Sequence, residues 1–382
     1  MRLASFNVEN LFARAAALNK SDWVNEPGDD PSLWSAGRKA LDTYAKLNAL
    51  LAKPSYAAAD KVEILRLLAL LGIARKDESS LVILRRNRGQ LLRRPKDGGP
   101  VEVVATGRDD WIGWLELKKE AVNEIATQNT ARVIQAVNAD VLVVIEADDR
   151  ISLCRFNEQL LTAVGGQSYD HVMLIDGNDD RGIDVGLFTR GTASIVKLRS
   201  HVDDRNQSGT IFSRDCPEFH LELASGNQLV VLANHLKSKG FGTPAVSNAR
   251  RKAQAKRVKE IYDGLRADGV ANIAIVGDFN DTLDSNPLSP LVGQGSDLRD
   301  VSAFQGFADG GRPGTFGYCT ASNKIDHILL SPALWPKITA GGIDRRGAWG
   351  GKKGTLWPHF PEVTNVNQAA SDHAAVWVDL AI

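Results

Sequence analysis

The sequence predicts an α/β protein in which helices cover layers of β-sheet. Nine short apolar runs rich in β-branched residues predict strands: RLASFNV, VLVVIE, HVMLID, DVGLFT, FHLELA, QLVVLANH, NIAIVGD, IDHILLS and AVWVDL. Helical periodicity appears between some of these runs, at residues 126–138, 152–163 and 247–266. Strand faces and helix stripes must both be buried, so sheets flanked by helices are the expected arrangement.

Composition is that of a globular protein able to bury a large core. The chain has 382 residues, of which 43% are hydrophobic and 24% charged. Lys plus Arg equals Asp plus Glu at 46 each, so net charge does not select a polyanionic partner. Cys154, Cys216 and Cys319 are far apart and fit neither a disulfide framework nor a CxxC metal site. Without a signal core or an apolar run of about 18 residues, we expect a cytoplasmic protein with no membrane span.

Residues 13–125 differ from the rest of the chain. Helical stretches at residues 38–53 and 61–74 flank Pro54, and a hairpin-like segment then turns at KDGGP and continues to DDWIGWLEL. We interpret 13–125 as an inserted helical and β-hairpin subdomain. It is expected to pack on a main domain formed by residues 1–12 and 126–382.

Polar residues stand at one end of six predicted strands. Four strands close on such residues, namely Asn7, Glu146, Asn234 with His235, and Asp278 with Asn280. Two further strands open on Asp326 with His327 and on Asp372 with His373. In an antiparallel sheet the end of one strand lies beside the start of its neighbour, so all six sets can meet at one rim.

Such a rim would crowd the carboxylates of Glu146, Asp278 and Asp372. Crowded carboxylates repel one another unless they are protonated or neutralised by a cation. Oxygen ligands without cysteine suit Mg²⁺ or Mn²⁺ better than zinc, and phosphate is the usual partner of such an ion. No organic cofactor is expected.

Seven motifs occur in the order of one family. They are SFNVENL, VLVVIE, DVGLFTR, NHLKS, GDFND, KIDHILL and SDH. The chain resembles the endonuclease/exonuclease/phosphatase superfamily of deoxyribonuclease-like and abasic-site-endonuclease-like enzymes. The resemblance implies a two-sheet, mainly antiparallel β-sandwich flanked by helices in four layers, α/β/β/α. It also implies phosphoester hydrolysis with Mg²⁺ or Mn²⁺, whereas the insertion has no counterpart in the minimal fold.

The resemblance also implies roles for individual residues. The implied metal-binding residues are Asn7, Glu146 and Asp372. The implied catalytic residues are His235, Asp278, Asn280, Asp326 and His373. Each residue taken singly could instead cap a turn or helix, or be a satisfied core histidine.

Phosphodiester chemistry fits these roles independently. The reaction needs a polarised phosphoryl group, a deprotonated water and an acid or metal at the leaving oxygen. A carboxylate partner such as Asp326 would fix the tautomer of His373, which could then act as a base or as a positive phosphate clamp. His235 can occupy the opposite side, where the resemblance implies that it helps to protonate the leaving oxygen.

Substrate choice is left open by the sequence. A nuclease with a nucleic-acid substrate is the first hypothesis, a phosphatase or phosphodiesterase of a lipid or small soluble phosphoester is the second, and a non-enzymatic binding module is the third. Candidate substrate-binding residues are Asn234, Lys237, Arg181 and Arg250. The insertion follows FNVENLF and is expected to form a wall of the cleft.

A cluster of arginines in the insertion bears on the first hypothesis. We name it the arginine ribbon; it consists of Arg85, Arg86, Arg88, Arg93 and Arg94. Such residues beside Trp111 and Trp114 could grip phosphates and stack bases. A solvated, aggregation-resistant hairpin edge is the alternative.

Overall fold

The structure is a computed structural model that describes residues 1–9, 11, 36–118, 123–179, 182–239 and 243–382. The chain divides into two compact units. The larger comprises Met1–Phe12, Val122–Ser238 and Ala245–Ile382, and the smaller comprises Ala13–Ala121 and Lys239–Pro244. The assignment of 1–12 and 126–382 as the catalytic domain, with 13–125 as an inserted subdomain, stays a prediction.

The strands are short, as the apolar runs indicate. They are β1 (Arg2–Asn7), β2 (Val82–Arg88), β3 (Leu92–Arg93), β4 (Glu102–Val103), β5 (Ile112–Leu117), β6 (Val141–Ala147), β7 (His171–Ile175), β8 (Asp184–Thr189), β9 (Ala193–Arg199), β10 (Arg205–Asn206), β11 (Gly209–Thr210), β12 (Glu218–Leu223), β13 (Gln228–His235), β14 (Ile273–Asp278), β15 (Arg299–Asp300), β16 (Phe307–Ala308), β17 (Asp326–Leu330), β18 (Ile338–Asp344) and β19 (Ala375–Leu380). Each predicted strand run overlaps one of these strands.

The helices also follow the predicted segments. They are α1 (Ala36–Leu51), α2 (Ala58–Leu70), α3 (Glu124–Val137), α4 (Arg150–Arg155), α5 (Leu161–Ala163), α6 (Pro244–Ala267) and α7 (Ser289–Val292). A π-helical turn, Phe156–Leu160, joins α4 to α5. In the part of the chain that the structure describes, none of these helices combines the length and apolar character needed to cross a bilayer.

Two large sheets form the larger unit. The seven-stranded sheet has the order β16-β18-β19-β1-β6-β8-β7, and the six-stranded sheet has the order β15-β17-β14-β13-β12-β9. Most neighbours are antiparallel, but β1 pairs with β6, β13 with β14 and β16 with β18 in parallel. The first two of these pairs matter for the site, because each brings two strand ends to the same edge of its sheet.

Alternating side chains build four layers. On β1, Leu3 belongs to the apolar layer between the sheets, whereas Ala4 packs with α3. On β14, Ala274 and Val276 face the inter-sheet layer, whereas Ile275 belongs to the cluster formed with α6. Helices therefore cover the outer face of each sheet, and the predicted α/β/β/α fold class is confirmed.

The smaller unit has a core of its own. Helices α1 and α2 contribute apolar side chains to a cluster that also includes Val82 of β2 and Leu115 of β5. The predicted turn at 96–100 joins only the two-residue strands β3 and β4, while β2 pairs with β5. Prolines at 95 and 100 lack the amide hydrogens that a longer ladder would need, so β3 and β4 stay short.

The parallel pairing of β13 with β14 depends on Gly277. Its φ is +137°, and a Cβ there would lie 2.0 Å from the carbonyl oxygen of Asn234. We expect Gly277→Ala to lower the free energy of unfolding by about 3 kcal/mol or more, as measured by urea denaturation. Gly226→Ala is the control: its φ is +81° and no atom lies within 4 Å of the added Cβ. The control should lose only about 1–2 kcal/mol, and equal losses would contradict this account.

Candidate active site

The two sheets bring predicted site residues to one end of the layer between them. On β1, Asn7 continues the inward-facing series that begins at Leu3, and on β14, Asp278 continues the series through Val276. His235 follows Val231 and Ala233 in the same way, and Asp326 precedes Ile328 and Leu330. The apolar inter-sheet layer thus ends in a cluster of buried polar groups.

Asp278 lies at the centre of this cluster. Its Oδ2 accepts hydrogen bonds from Asn7 Nδ2 at 3.1 Å and from Asn280 Nδ2 at 3.2 Å. Its Oδ1 accepts from the backbone N–H of Asn280 at 2.8 Å. The Nε2 atoms of His235 and His373 lie 3.6 Å and 4.0 Å from the same Oδ2. One buried carboxylate oxygen is therefore flanked by two imidazoles.

His373 is fixed by Asp326, as the resemblance implied. Its Nδ1 lies 2.8 Å from Asp326 Oδ2, and its backbone N–H donates to the hydroxyl of Ser371 at 3.0 Å. The Phe316 ring lies 4.9 Å from the imidazole, centroid to centroid. The backbone N–H of Asp326 in turn donates to Thr315 Oγ1 at 3.1 Å. The orientation of the imidazole is thereby set by a carboxylate, a hydroxyl and a ring.

Burial and charge shift the pKa values of this cluster. Burial, together with the negative charge of Asp326, raises the pKa of Asp278 to about 7, and the nearby His373 only partly offsets this. Burial lowers the pKa of His373, but the charge and hydrogen bond of Asp326 and the charge of Asp278 outweigh it. The net result is a pKa well above the usual value for histidine. The ionised form of Asp278 is therefore disfavoured in this cluster, whereas the protonated form of His373 is favoured.

Glu146 reaches the cluster through a backbone irregularity. Strict alternation would turn it away, because its neighbour Ile145 faces the inter-sheet layer. Its φ is +65°, and the β6–β8 register shifts between Ile145 and Ala147. As a result Glu146 Oε1 lies 3.6 Å from His235 Nε2. Left-handed backbone at a glutamate is rare and is often found at functional sites.

Asp372 lies beside His373. Its Oδ1 is 3.8 Å from His373 Nε2, and its backbone N–H donates to Glu9 Oε2 at 3.1 Å. Glu9 also donates its own N–H to Asn7 Oδ1 at 3.0 Å and has a φ of +52°. Glu9 is thus a bridge between the end of β1 and the start of β19.

The donor set fits a hard divalent cation. Among the described residues, one group of three His, Cys, Asp or Glu side chains has ligand atoms within 4.8 Å of one another: Asp278, Asp326 and His373. In that group Asp326 and His373 are already bonded to each other. Asn7, Glu146 and Asp278 also carry side-chain oxygens in this cluster, and a cation there would offset the negative charge that, after burial, raises the pKa of Asp278.

The structure describes three of the four candidate substrate-binding residues. Asn234 is buried, and its Nδ2 donates to the carbonyl of Leu232 at 3.0 Å. Arg250 is exposed, with its guanidinium 3.5 Å from the carbonyls of Thr210 and Ile211. Lys237 is bonded through its backbone to α6. Arg181 lies outside the described residues.

Sequence reasoning missed several residues that support the site. Thr315 and Phe316 lie in a loop without strand or helix periodicity, so no pattern points to them. Arg251 and Gln254 of α6 are fully buried although the helix is basic and polar. Their separation of three residues places them on one face of the helix, but that signal indicates a shared surface and not a role.

The sequence pattern of the endonuclease/exonuclease/phosphatase family matches residues 123–373. A search of curated proteins found no significant match.

Solved structures of several proteins are similar to this chain. A mannosyl-6-phosphatase of Bacteroides thetaiotaomicron is 17% identical with a TM-score of 0.48, covering 68% of this chain and 92% of that chain. The human Nocturnin catalytic domain with bound sulfate is 16% identical with a TM-score of 0.49, covering 69% and 88%. Truncated TDP2 of Caenorhabditis elegans is 14% identical with a TM-score of 0.45, covering 67% and 90%.

The family match covers most of the larger unit and includes His235, Asp278 and His373, whereas Asn7 of β1 lies before the matched residues. It spans about two thirds of the 382 residues. The chain belongs to the endonuclease/exonuclease/phosphatase family.

Proposed function

We propose that this phosphoester hydrolase is a divalent-metal-dependent phosphodiesterase that cleaves nucleic acid. The observation that carries the proposal is the pair of imidazoles, His235 and His373, on either side of one buried carboxylate oxygen of Asp278. In-line displacement at phosphorus needs a group on the side of attack and another on the side of departure. Asp278 is the candidate for the side of attack, and His235 is the candidate for the side of departure.

His373 and His235 take different roles in this proposal. Asp326 accepts from Nδ1 of His373, so Nε2 is the nitrogen that faces Asp278 and Asn7. Protonated, that nitrogen donates to a phosphoryl oxygen and stabilises its developing charge. His235 donates a proton to the leaving oxygen, and Asp278 is placed to accept a proton from the attacking water.

The metal would be held by the oxygen atoms of Asn7, Glu146 and Asp278, with Asp372 at the margin of the same cluster. When bound, Mg²⁺ or Mn²⁺ supplies Lewis-acid polarisation of the phosphoryl group. Asn280 contributes by holding both oxygens of Asp278, so the carboxylate cannot rotate.

A second candidate function is hydrolysis of a small soluble phosphoester. The arginine ribbon favours this function, since three of its five side chains already form ion pairs within the smaller unit. Arg85 pairs with Glu116, Arg93 pairs with Glu102 and Arg94 pairs with Asp77. Among the described residues, Arg86 and Arg88 have no acidic partner, and both are exposed. Less of the ribbon is available for phosphates than the sequence alone indicates.

Metal removal tests the cofactor. Turnover of a generic phosphodiester should disappear in excess chelator, because the carboxylates would then lack their counter-ion, and it should return with added Mg²⁺ or Mn²⁺. A protein that keeps full turnover in chelator would exclude this role for the metal.

Single substitutions test the residue roles. Replacing His373, His235 or Asp278 by Ala should lower kcat by about 10²-fold or more, because each acts on the transition state. Glu146→Gln should chiefly raise the metal concentration needed for half-maximal rate. His171→Ala is the control, since this imidazole is exposed on β7. Near-wild-type turnover in the His373 variant, with metal saturating, would refute the assignment.

A substrate panel separates the two candidate functions. Single-stranded DNA, double-stranded DNA, RNA, a lipid phosphodiester and an inositol phosphate are compared at equal metal concentration. We expect a nucleic acid to be cleaved with the highest kcat/KM. Faster turnover of the inositol phosphate would select the small-molecule phosphoesterase.

The salt dependence of nucleic-acid binding tests the role of the arginine ribbon. Arg86→Gln with Arg88→Gln should reduce the salt slope of nucleic-acid binding by about 2, or somewhat less on single strands, because each lost phosphate contact removes about 1. Arg85→Gln with Arg93→Gln is the matched control, since both side chains are already paired. Equal slopes in both double variants would assign the ribbon a packing role only.

A further inference from the structure

Helix α6 holds the chain segment that follows His235. Gln254 Oε1 accepts the backbone N–H of Lys237 at 2.7 Å, and Arg251 Nη1 donates to the carbonyl of Lys237 at 2.6 Å. Arg251 and Gln254 are both 0% exposed. The exit of β13, two residues beyond the candidate general acid, is therefore fixed by two buried side chains of one helix.

Arg251 also holds the loop that follows Asp278. Its Nε and Nη2 atoms lie 3.0 Å and 2.9 Å from Asp281 Oδ2, and Asp281 is 5% exposed. Nη2 further donates to Asn248 Oδ1 at 2.6 Å. One guanidinium thus connects the strand exits that carry His235 and Asp278.

The two exits are also connected directly. The backbone N–H of Leu236 donates to the carbonyl of Asp278 at 2.9 Å, and Asn280 Nδ2 donates to the carbonyl of Leu236 at 3.1 Å. Together with the bonds to α6, all four backbone groups of Leu236 and Lys237 are engaged. Arg251 is therefore bonded directly to the residues that follow both catalytic strand ends.

A second buried network holds the other side of the loop. His327 Nε2 lies 3.1 Å from the carbonyl of Asp281, and His327 Nδ1 lies 2.9 Å from Asp300 Oδ2. Lys324 bonds to the other oxygen of Asp300. Asp281 is therefore held by α6 through its side chain and by β17 through its backbone. Because its position is fixed from both elements, it can in turn fix the guanidinium of Arg251.

We propose that Arg251 and Asp281 form a positioning pair that sets the relative placement of His235 and Asp278, and that it acts on kcat without contacting substrate. A buried ion pair is weak evidence for stability, because the desolvation of both charges offsets most of their attraction. The pair instead fixes geometry, because the planar guanidinium of Arg251 bonds to the Asp281 carboxylate on one strand exit and to the Lys237 carbonyl on the other. The inference rests on the proposed hydrolytic function.

Arg251→Met tests the pair at a temperature where each variant is fully folded. We expect kcat to fall about 10- to 100-fold while KM changes less than about threefold, since displacement of catalytic groups affects the transition state more than substrate binding. Arg251→Lys keeps the positive charge but lacks the fork, so its kcat should lie between those of the wild type and the Met variant. If the Met variant does not fold, the Lys variant decides the test.

Val258→Ala is the matched control on the same helix. Val258 is 1% exposed and packs in the cluster between α6 and its sheet, so the change destabilises the helix contact without removing a side-chain hydrogen bond to either strand exit. Its kcat should stay within about twofold of the wild type. If the control lowers kcat as much as Arg251→Met at matched stability, the pair is merely structural and the proposal is overturned.

Hydrogen exchange gives a readout that does not depend on activity. The peptide containing Leu236 and Lys237 should exchange faster in Arg251→Met than in Val258→Ala, because loss of the Arg251 bonds to the Lys237 carbonyl and to Asp281 lets the segment open more often. Unchanged exchange in the Met variant would overturn the proposal. If the wild type cleaves none of the panel substrates, the proposed function fails, while the exchange comparison still decides whether Arg251 fixes the strand exits.

Discussion

Burial of the Asp278 carboxylate is the constraint on which the site depends. The side chain stands where the apolar layer between two sheets ends, so water cannot solvate its charge. The fold provides Asn7, Asn280 and two imidazoles around it, yet Asp326 and Glu146 add further negative charge nearby. Such a cluster is stable only if protons or a cation balance it, and that requirement connects the fold to metal-dependent chemistry.

The same layer explains why residues distant in sequence meet. Two strands that end at the rim, β13 and β14, are parallel neighbours, and β17, which begins there, is antiparallel to β14. The register places His235, Asp278 and Asp326 in one row across the sheet. The other sheet contributes Asn7 through β1, so the site needs both sheets and the packing between them.

Much of this arrangement could be predicted from sequence, because polar residues interrupt apolar alternation at the ends of predicted strands. Asn7, Asp278 and Asp326 follow directly from that pattern. Glu146 was also expected at the rim, but the left-handed backbone that turns it inward could not be predicted, since the residue type disfavours that conformation. The burial of Arg251 could not be predicted either, because a basic helix is usually interpreted as exposed to solvent until its packing partner is known. The ion pairs of the arginine ribbon could not be predicted either. Its partners Glu116, Glu102 and Asp77 are separated from their arginines in the sequence and are adjacent only in the fold.

The central claim is that the strand ends form one cation site at the end of the inter-sheet layer. Anomalous diffraction from a crystal soaked in Mn²⁺ tests it most directly. The account predicts an anomalous peak within coordination distance of side-chain oxygens of Glu146 and Asn7 or Asp278. A peak elsewhere on the protein, with none in this cluster at saturating Mn²⁺, would contradict it.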